Sequence, residues 1–172
     1  MFRSIRVLAL GGAAAAAAVL LVPPSLAPSP AAADEPVDMI AVNSKGTANN
    51  ESKNQSRTVY TFPMYSLATG AQIGTITDDV GLTPTPGVVD VITTYRFKDG
   101  EIVNHMPVSI SQDSQKPGWV VVGDRPQSDT IIKATGAYAG RTGRVRLSGV
   151  DDLNKFPGQI YQDDFWVIEL NR

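Results

Sequence analysis

The stretch "IIKATGAYAGRTGRVRLSGV", Ile131 to Val150, decides the fold. Four glycines (Gly136, Gly140, Gly143 and Gly149) interrupt residues that otherwise favour strands. Such a run can cradle a phosphate, form a linker, or turn a tight corner between strands. A phosphate loop needs a Lys-Ser/Thr ending and a following helix, and Gly136 to Gly143 has neither. A linker would not lead at once into the strand-forming "GRVRLSGV". The run therefore reads as a corner, with Gly136, Gly140 and Gly143 as structural glycines that allow close backbone approach and unusual backbone angles.

Working outward, the chain reads as strand after strand. Candidates are Val37 to Asn43, Arg57 to Ser66, Ala71 to Thr77, Val88 to Phe97 and Glu101 to Ile110. Gly118 to Gly123, Thr130 to Thr135, Gly143 to Val150 and Asp163 to Leu170 follow. All are rich in Val, Ile, Thr, Tyr and Phe and are bounded by turn residues. "ATG" at Ala68 to Gly70 and "KDG" at Lys98 to Gly100 read as hairpin turns. The polar "NSKGTANNESKNQSR", Asn43 to Arg57, reads as a mobile loop. Its two sequons, at Asn50 and Asn54, are what chance gives in a polar run. "DDLNKFPG" reads as one short helical turn before Pro157.

Within Val88 to Phe97 one face carries Val89, Val91, Thr93, Tyr95 and Phe97. The other is mixed, with Val88, Asp90, Ile92, Thr94 and Arg96. An open sheet with one wet side should alternate more cleanly. A barrel filled from inside, with part of its outside covered, accounts for the mixture, and closure removes exposed edges. The expected fold is all-β, a closed antiparallel eight-stranded barrel.

The first 33 residues have a different character. Arg3 and Arg6 precede an apolar run from Val7 to Val22, then a Pro- and Ala-rich segment ending in "AAA". This is the pattern of a secretory signal peptide cleaved after Ala33, and it predicts a secreted, extracellular domain from Asp34 to Arg172. Without Arg3 and Arg6 the chain has 13 basic and 17 acidic residues, net −4. That balance, with no basic cluster, argues against nucleic acid or an anionic membrane as partner. There is no cysteine, so no disulfide forms.

"ATGAYAGRTGRVRL" resembles the "GGTGAYAGARG"-type segment of the allene oxide cyclase-like barrel family and of its relatives, the plant dirigent proteins. "YSLATGAQIGTITDDV" looks like that family's first hairpin. "YRFKDGEIVNHMPV" looks like the strand, turn and strand before its glycine motif, and "DFWVIEL" like its closing strand. The resemblance spans Val37 to Leu170. It implies a barrel that binds an apolar or aromatic small molecule, needs no metal or organic cofactor, and assembles as a trimer. It also implies guidance of a cyclisation or coupling by orientation and water exclusion, an isomerase-like role. The chain departs from the family at its active residues. No Asp or Glu lies in "RTVYTFPMYS". Ala137 and Thr142 stand where dirigent proteins carry an acid and an arginine, with Arg141 adjacent. The alternative is a non-enzymatic secreted module whose barrel is filled by its own side chains.

Candidate ligand contacts are Tyr60, Tyr95, His105, Trp119, Arg144 and Trp166. The aromatics also suit a core or an interface. Arg144 and Arg146 share one strand face, which is the wet side unless it turns inward to meet a carboxylate. His105 is the sole histidine, so a hydrolase would need a Ser or carboxylate within reach of its ring. The pairs Asp78-Asp79, Asp151-Asp152 and Asp163-Asp164 read as solvated turns rather than calcium loops.

Overall fold

The computed structural model describes residues 37–52 and 56–172, and the expected signal segment lies outside them. Nine strands follow one another: β1 (Val37–Asn49), β2 (Arg57–Ser66), β3 (Gln72–Leu82), β4 (Val88–Phe97), β5 (Gly100–Gln112), β6 (Trp119–Asp124), β7 (Ile131–Gly136), β8 (Gly143–Asp152) and β9 (Gln159–Asn171). The hydrogen-bonded order is β4-β3-β2-β1-β9-β8-β6-β5-β7, and β4 also pairs with β5. The β4–β5 pairing closes eight antiparallel strands into a barrel. The ninth, β7, lies beside β5. β5 pairs with β7 over Gly100 to Asn104 and with β6 over Val108 to Gln112, so two short strands share one edge.

Period-two alternation puts one row of each strand inside. On β4 that row is Val89, Val91, Thr93, Tyr95 and Phe97, as the sequence indicates. One end of the interior is solidly packed. Met64, Ile76, Tyr95, Ile102, Met106, Ile168 and Leu170 are all buried there. Trp166 meets Tyr95 edge-on with ring centroids 5.6 Å apart, a favoured aromatic geometry.

The glycine-rich stretch is the β7–β8 corner. Gly136 and Gly140 have positive φ (62° and 77°), and tight turn bonds link Tyr138 to Thr135 and Arg141 to Tyr138. A Cβ on Gly136 would sit 2.1 Å from the Asp99 carbonyl oxygen, and one on Gly143 (φ 141°) 1.9 Å from that of Glu169. These two glycines let the corner press against the backbones of its neighbours. Gly140 meets nothing within 4 Å, so its requirement is conformational alone.

Two expectations need correction. The polar segment after Asn43 is not a loop until Asn49, because β1 pairs with β9 without a break from Val37 to Asn49. Its inward residues there are Ser44, Gly46 and Ala48, which are small rather than apolar and large. The segment before Pro157 forms turns, and no helix occurs among the described residues.

The two kinds of glycine should separate by mutation. Gly143→Ala adds a backbone clash to an unfavourable φ and should destabilise by about 2 kcal/mol or more, whereas Gly140→Ala should cost only about 1 kcal/mol. Urea unfolding of the two variants checks this ranking.

Candidate functional site

The other end of the barrel is hollow. A cavity of about 660 Å³ opens between β2, β3, β4, β5, β6, β8 and β9 and the turn before β9. Its walls are mostly aliphatic, with Val80, Val91, Val108, Val122, Leu147 and Ile160 among them. The exposed side chains of Leu82 and Phe156 also line it. The interior filled by its own side chains, expected on the alternative reading, describes only half of this barrel.

Three aspartates line the same cavity: Asp78, Asp151 and Asp164. Each belongs to one of the acid pairs, and in each pair alternation sends one carboxyl in and the other out. The reading of these pairs as solvated turns is therefore corrected: all three lie within strands. Outward, Asp79 meets Arg57 and Asp163 meets Lys45. Inward, the neighbours two residues away are largely apolar (Ile76 and Val80 around Asp78), and that flanking pattern is the sequence signal for an inward acid.

A polar layer forms where the hollow half meets the packed half. Thr93 donates to Asp78 at 2.8 Å. The Gln162 amide lies against Asp78 and favours its charged form, and it also donates to the Ser44 hydroxyl. The Trp166 indole N–H donates to the same hydroxyl at 3.0 Å. Asp164 sits in a niche on β8 that exists because residue 149 is glycine. A Cβ there would lie 1.8 Å from the Asp164 Oδ1 and 2.7 Å from its Cα. One carboxyl oxygen of Asp151 and one of Asp164 are buried without a hydrogen-bond partner.

Burial pushes Asp78 up to about 6, against the opposing pull of Thr93 and Gln162. Burial, then repulsion from Asp78, raises Asp151 as well. Asp164 is raised furthest, by burial and then by Asp151 and Asp78, with the Val150 backbone opposing. A carboxyl in such surroundings stays protonated rather than carry an unpaired buried charge.

Of the expected contacts, Tyr60 and Trp166 line the cavity. The Tyr60 hydroxyl donates to the Pro157 carbonyl at 2.7 Å, tying β2 to the turn at the cavity wall. Tyr95 is fully buried in the packed half, against Trp166. The other three lie elsewhere. Arg144 faces outward and pairs with Glu169, as does Arg146. Trp119 packs on Tyr161 beside a separate, smaller hollow on the outer side. His105 is on the outer face of β5, with Nε2 2.6 Å from Asp90. That carboxylate is shared with Arg57 at 2.8 Å. Burial would raise Asp90, but Arg57 and His105 hold it below the usual range. The carboxylate partner that a hydrolase requires is thus present, but it serves an ion-pair network outside the cavity. No group of three or more His, Cys, Asp or Glu among the described residues could hold a metal.

No protein-family model matches the chain, and no curated protein matches it significantly. Among solved structures there is a likeness to a chain described as pyocyanin demethylase. It has 13% identity and a TM-score of 0.35, and covers 78% of this chain and 99% of that one. A likeness at this level fixes neither family nor activity.

The raised aspartates have a consequence for stability. Between the ordinary carboxylate value near 4 and the folded value of about 6, folded Asp78 holds a proton that the unfolded chain has released. Stability therefore falls as pH rises through that window, and Asp151 and Asp164 extend the fall to higher pH. Asp38, Asp90 and Asp163, which are lowered, act oppositely, but only as pH drops below about 4. The melting temperature should rise on going from about pH 8 to about pH 5. Asp164→Asn should flatten this slope, and scanning calorimetry measures both. Gly149→Ala, which fills the niche, should destabilise by about 2 kcal/mol or more in chemical unfolding.

Proposed function

We propose that this protein is a small-molecule-binding barrel of the allene oxide cyclase-like kind, secreted, that takes an apolar or aromatic ligand into the hollow half and guides an isomerisation or ring closure there. The observation that carries this reading is the pairing of an aliphatic cavity with ionisable groups on its inner wall. A volume of about 660 Å³ falls in the range used for small ligands, and a few convergent polar groups in an apolar pocket are what fixes a ligand's orientation.

The chemistry that suits these residues is proton transfer. Asp164, held protonated in the empty cavity, can donate to a ligand oxygen. Asp78, titrating near 6, can accept a proton from another position. Two carboxyls whose surroundings set them apart in acidity divide the acid and base roles between them. The aliphatic walls exclude water and restrict the ligand's shape, which favours one ring closure over its competitors.

Binding is testable without knowing the substrate. Nile red, a neutral dye whose emission strengthens in apolar surroundings, should bind the wild-type protein and fluoresce. Leu147→Trp, which fills the cavity from β8, should weaken binding about tenfold or more while leaving cooperative unfolding intact. No dye response, or an equal response from the variant, would remove the support for an open interior.

A further inference from the structure

Among the described residues, the cavity lining carries more acid than cation. Asp78, Asp151 and Asp164 converge on it from β3, β8 and β9. The cation among its described lining residues is Arg57, and that guanidinium is engaged on the outer side by Asp79 at 2.5 Å and Asp90 at 2.8 Å. Lys45, the cationic neighbour on β1, is likewise turned outward, to Asp163. The other titratable groups inside are Tyr60 on β2 and Tyr95 on β4, both raised by burial and neither a cation. The inward residues of β5 and β6 that line the cavity are Val108, Ile110 and Val122. Buried carboxylates are ordinarily paired or bound to a metal; these acids have no such partner among the described residues, and without one they hold their protons.

Two of the acids are also incompletely bonded. Asp164 is 3% exposed, and its Oδ1 has no hydrogen-bond partner; the Oδ1 of Asp151 has none either. Packing alone does not require an acid at either place. An Asn or Leu on an interior row would serve a purely structural barrel at less cost. Gly149 strengthens the point, because the fold gives up a side chain on β8 to seat the Asp164 carboxyl.

We infer that the ligand is a cation: a compact aromatic or apolar molecule bearing one protonated nitrogen, which donates its N–H groups to Asp164 and Asp151 while its body lies against the aliphatic wall of Val80, Val108, Val122 and Leu147. This inference rests on the small-molecule reading above and names the class of molecule within it. The ammonium supplies a counter-charge that the described lining residues do not, and aromatic walls add cation–π attraction. When the ammonium enters, it favours the ionised carboxyls and so drives protons out of the site. Binding and proton release are linked.

The test uses three probes of one shape: naphthylmethylamine, naphthylmethanol and naphthoate, followed by calorimetry and by displacement of Nile red. At about pH 8 the amine should bind about tenfold or more tighter than the alcohol, and naphthoate should bind weakest. The amine's advantage should shrink near pH 5, where the carboxyls are protonated. Titration of the amine in two buffers of different ionisation enthalpy should show net proton release from the wild-type protein, a readout that needs no variant. Asp151→Asn and Asp164→Asn should each reduce the amine's preference over the alcohol. If the alcohol binds as well as the amine and displaces the dye, the cavity binds small molecules but the cation inference is wrong. If no probe and no dye binds, the binding reading falls with it.

Discussion

One side-chain amide marks the boundary on which the interior depends. Gln162, on β9, donates to Ser44 on β1 and lies against Asp78 on β3. On one side of this layer the barrel is filled by Met64, Tyr95, Ile102 and Ile168. On the other it is hollow. A closed barrel of eight strands has an interior that side chains can just fill or that can hold one small ligand. This chain is filled at one end and hollow at the other. The polar layer separates them because its members satisfy one another: Thr93 with Asp78, and Gln162 and Trp166 with Ser44.

Much of the architecture was legible because its demands are local. Glycines at a corner announce themselves, since Gly136 and Gly143 sit where any side chain would strike a neighbouring backbone. The inward row of β4 was legible for the same reason: Val, Thr, Tyr and Phe alternate with charge at period two. The second half of β1 was not. Ser44, Gly46 and Ala48 face the polar layer and the cavity end, where nothing requires a large apolar side chain, so the segment looks like a loop. Its strand character comes from pairing with β9, a partner more than a hundred residues away.

The site was partly hidden by the same arithmetic. Adjacent acids suggest a wet turn when read as pairs. In a strand they divide, one outward to Arg57 or Lys45 and one inward to an apolar-walled cavity. Aromatic content singled out Tyr60 and Trp166, and both line the cavity. It could not separate them from Trp119, because side assignment needs the register of β6 against β8. His105 drew notice by being the single histidine, yet its place on the outer row of β5 gives it a role in an ion-pair network with Asp90 and Arg57. Within the cavity the chemistry is set by how far each carboxyl is removed from water and from its two companions.

The protonation state of those carboxyls decides what the cavity can do. Carbon-detected NMR of the aspartate side chains, assigned by Asp→Asn substitution and followed across the pH range, reads that state directly. The expected result is three inward aspartates titrating above the ordinary range, with Asp164 still protonated near neutrality after Asp78 has ionised. If instead Asp78, Asp151 and Asp164 all complete their titration by about pH 5, as solvated carboxyls do, the acids are not buried in a dry cavity and the proposed site does not exist.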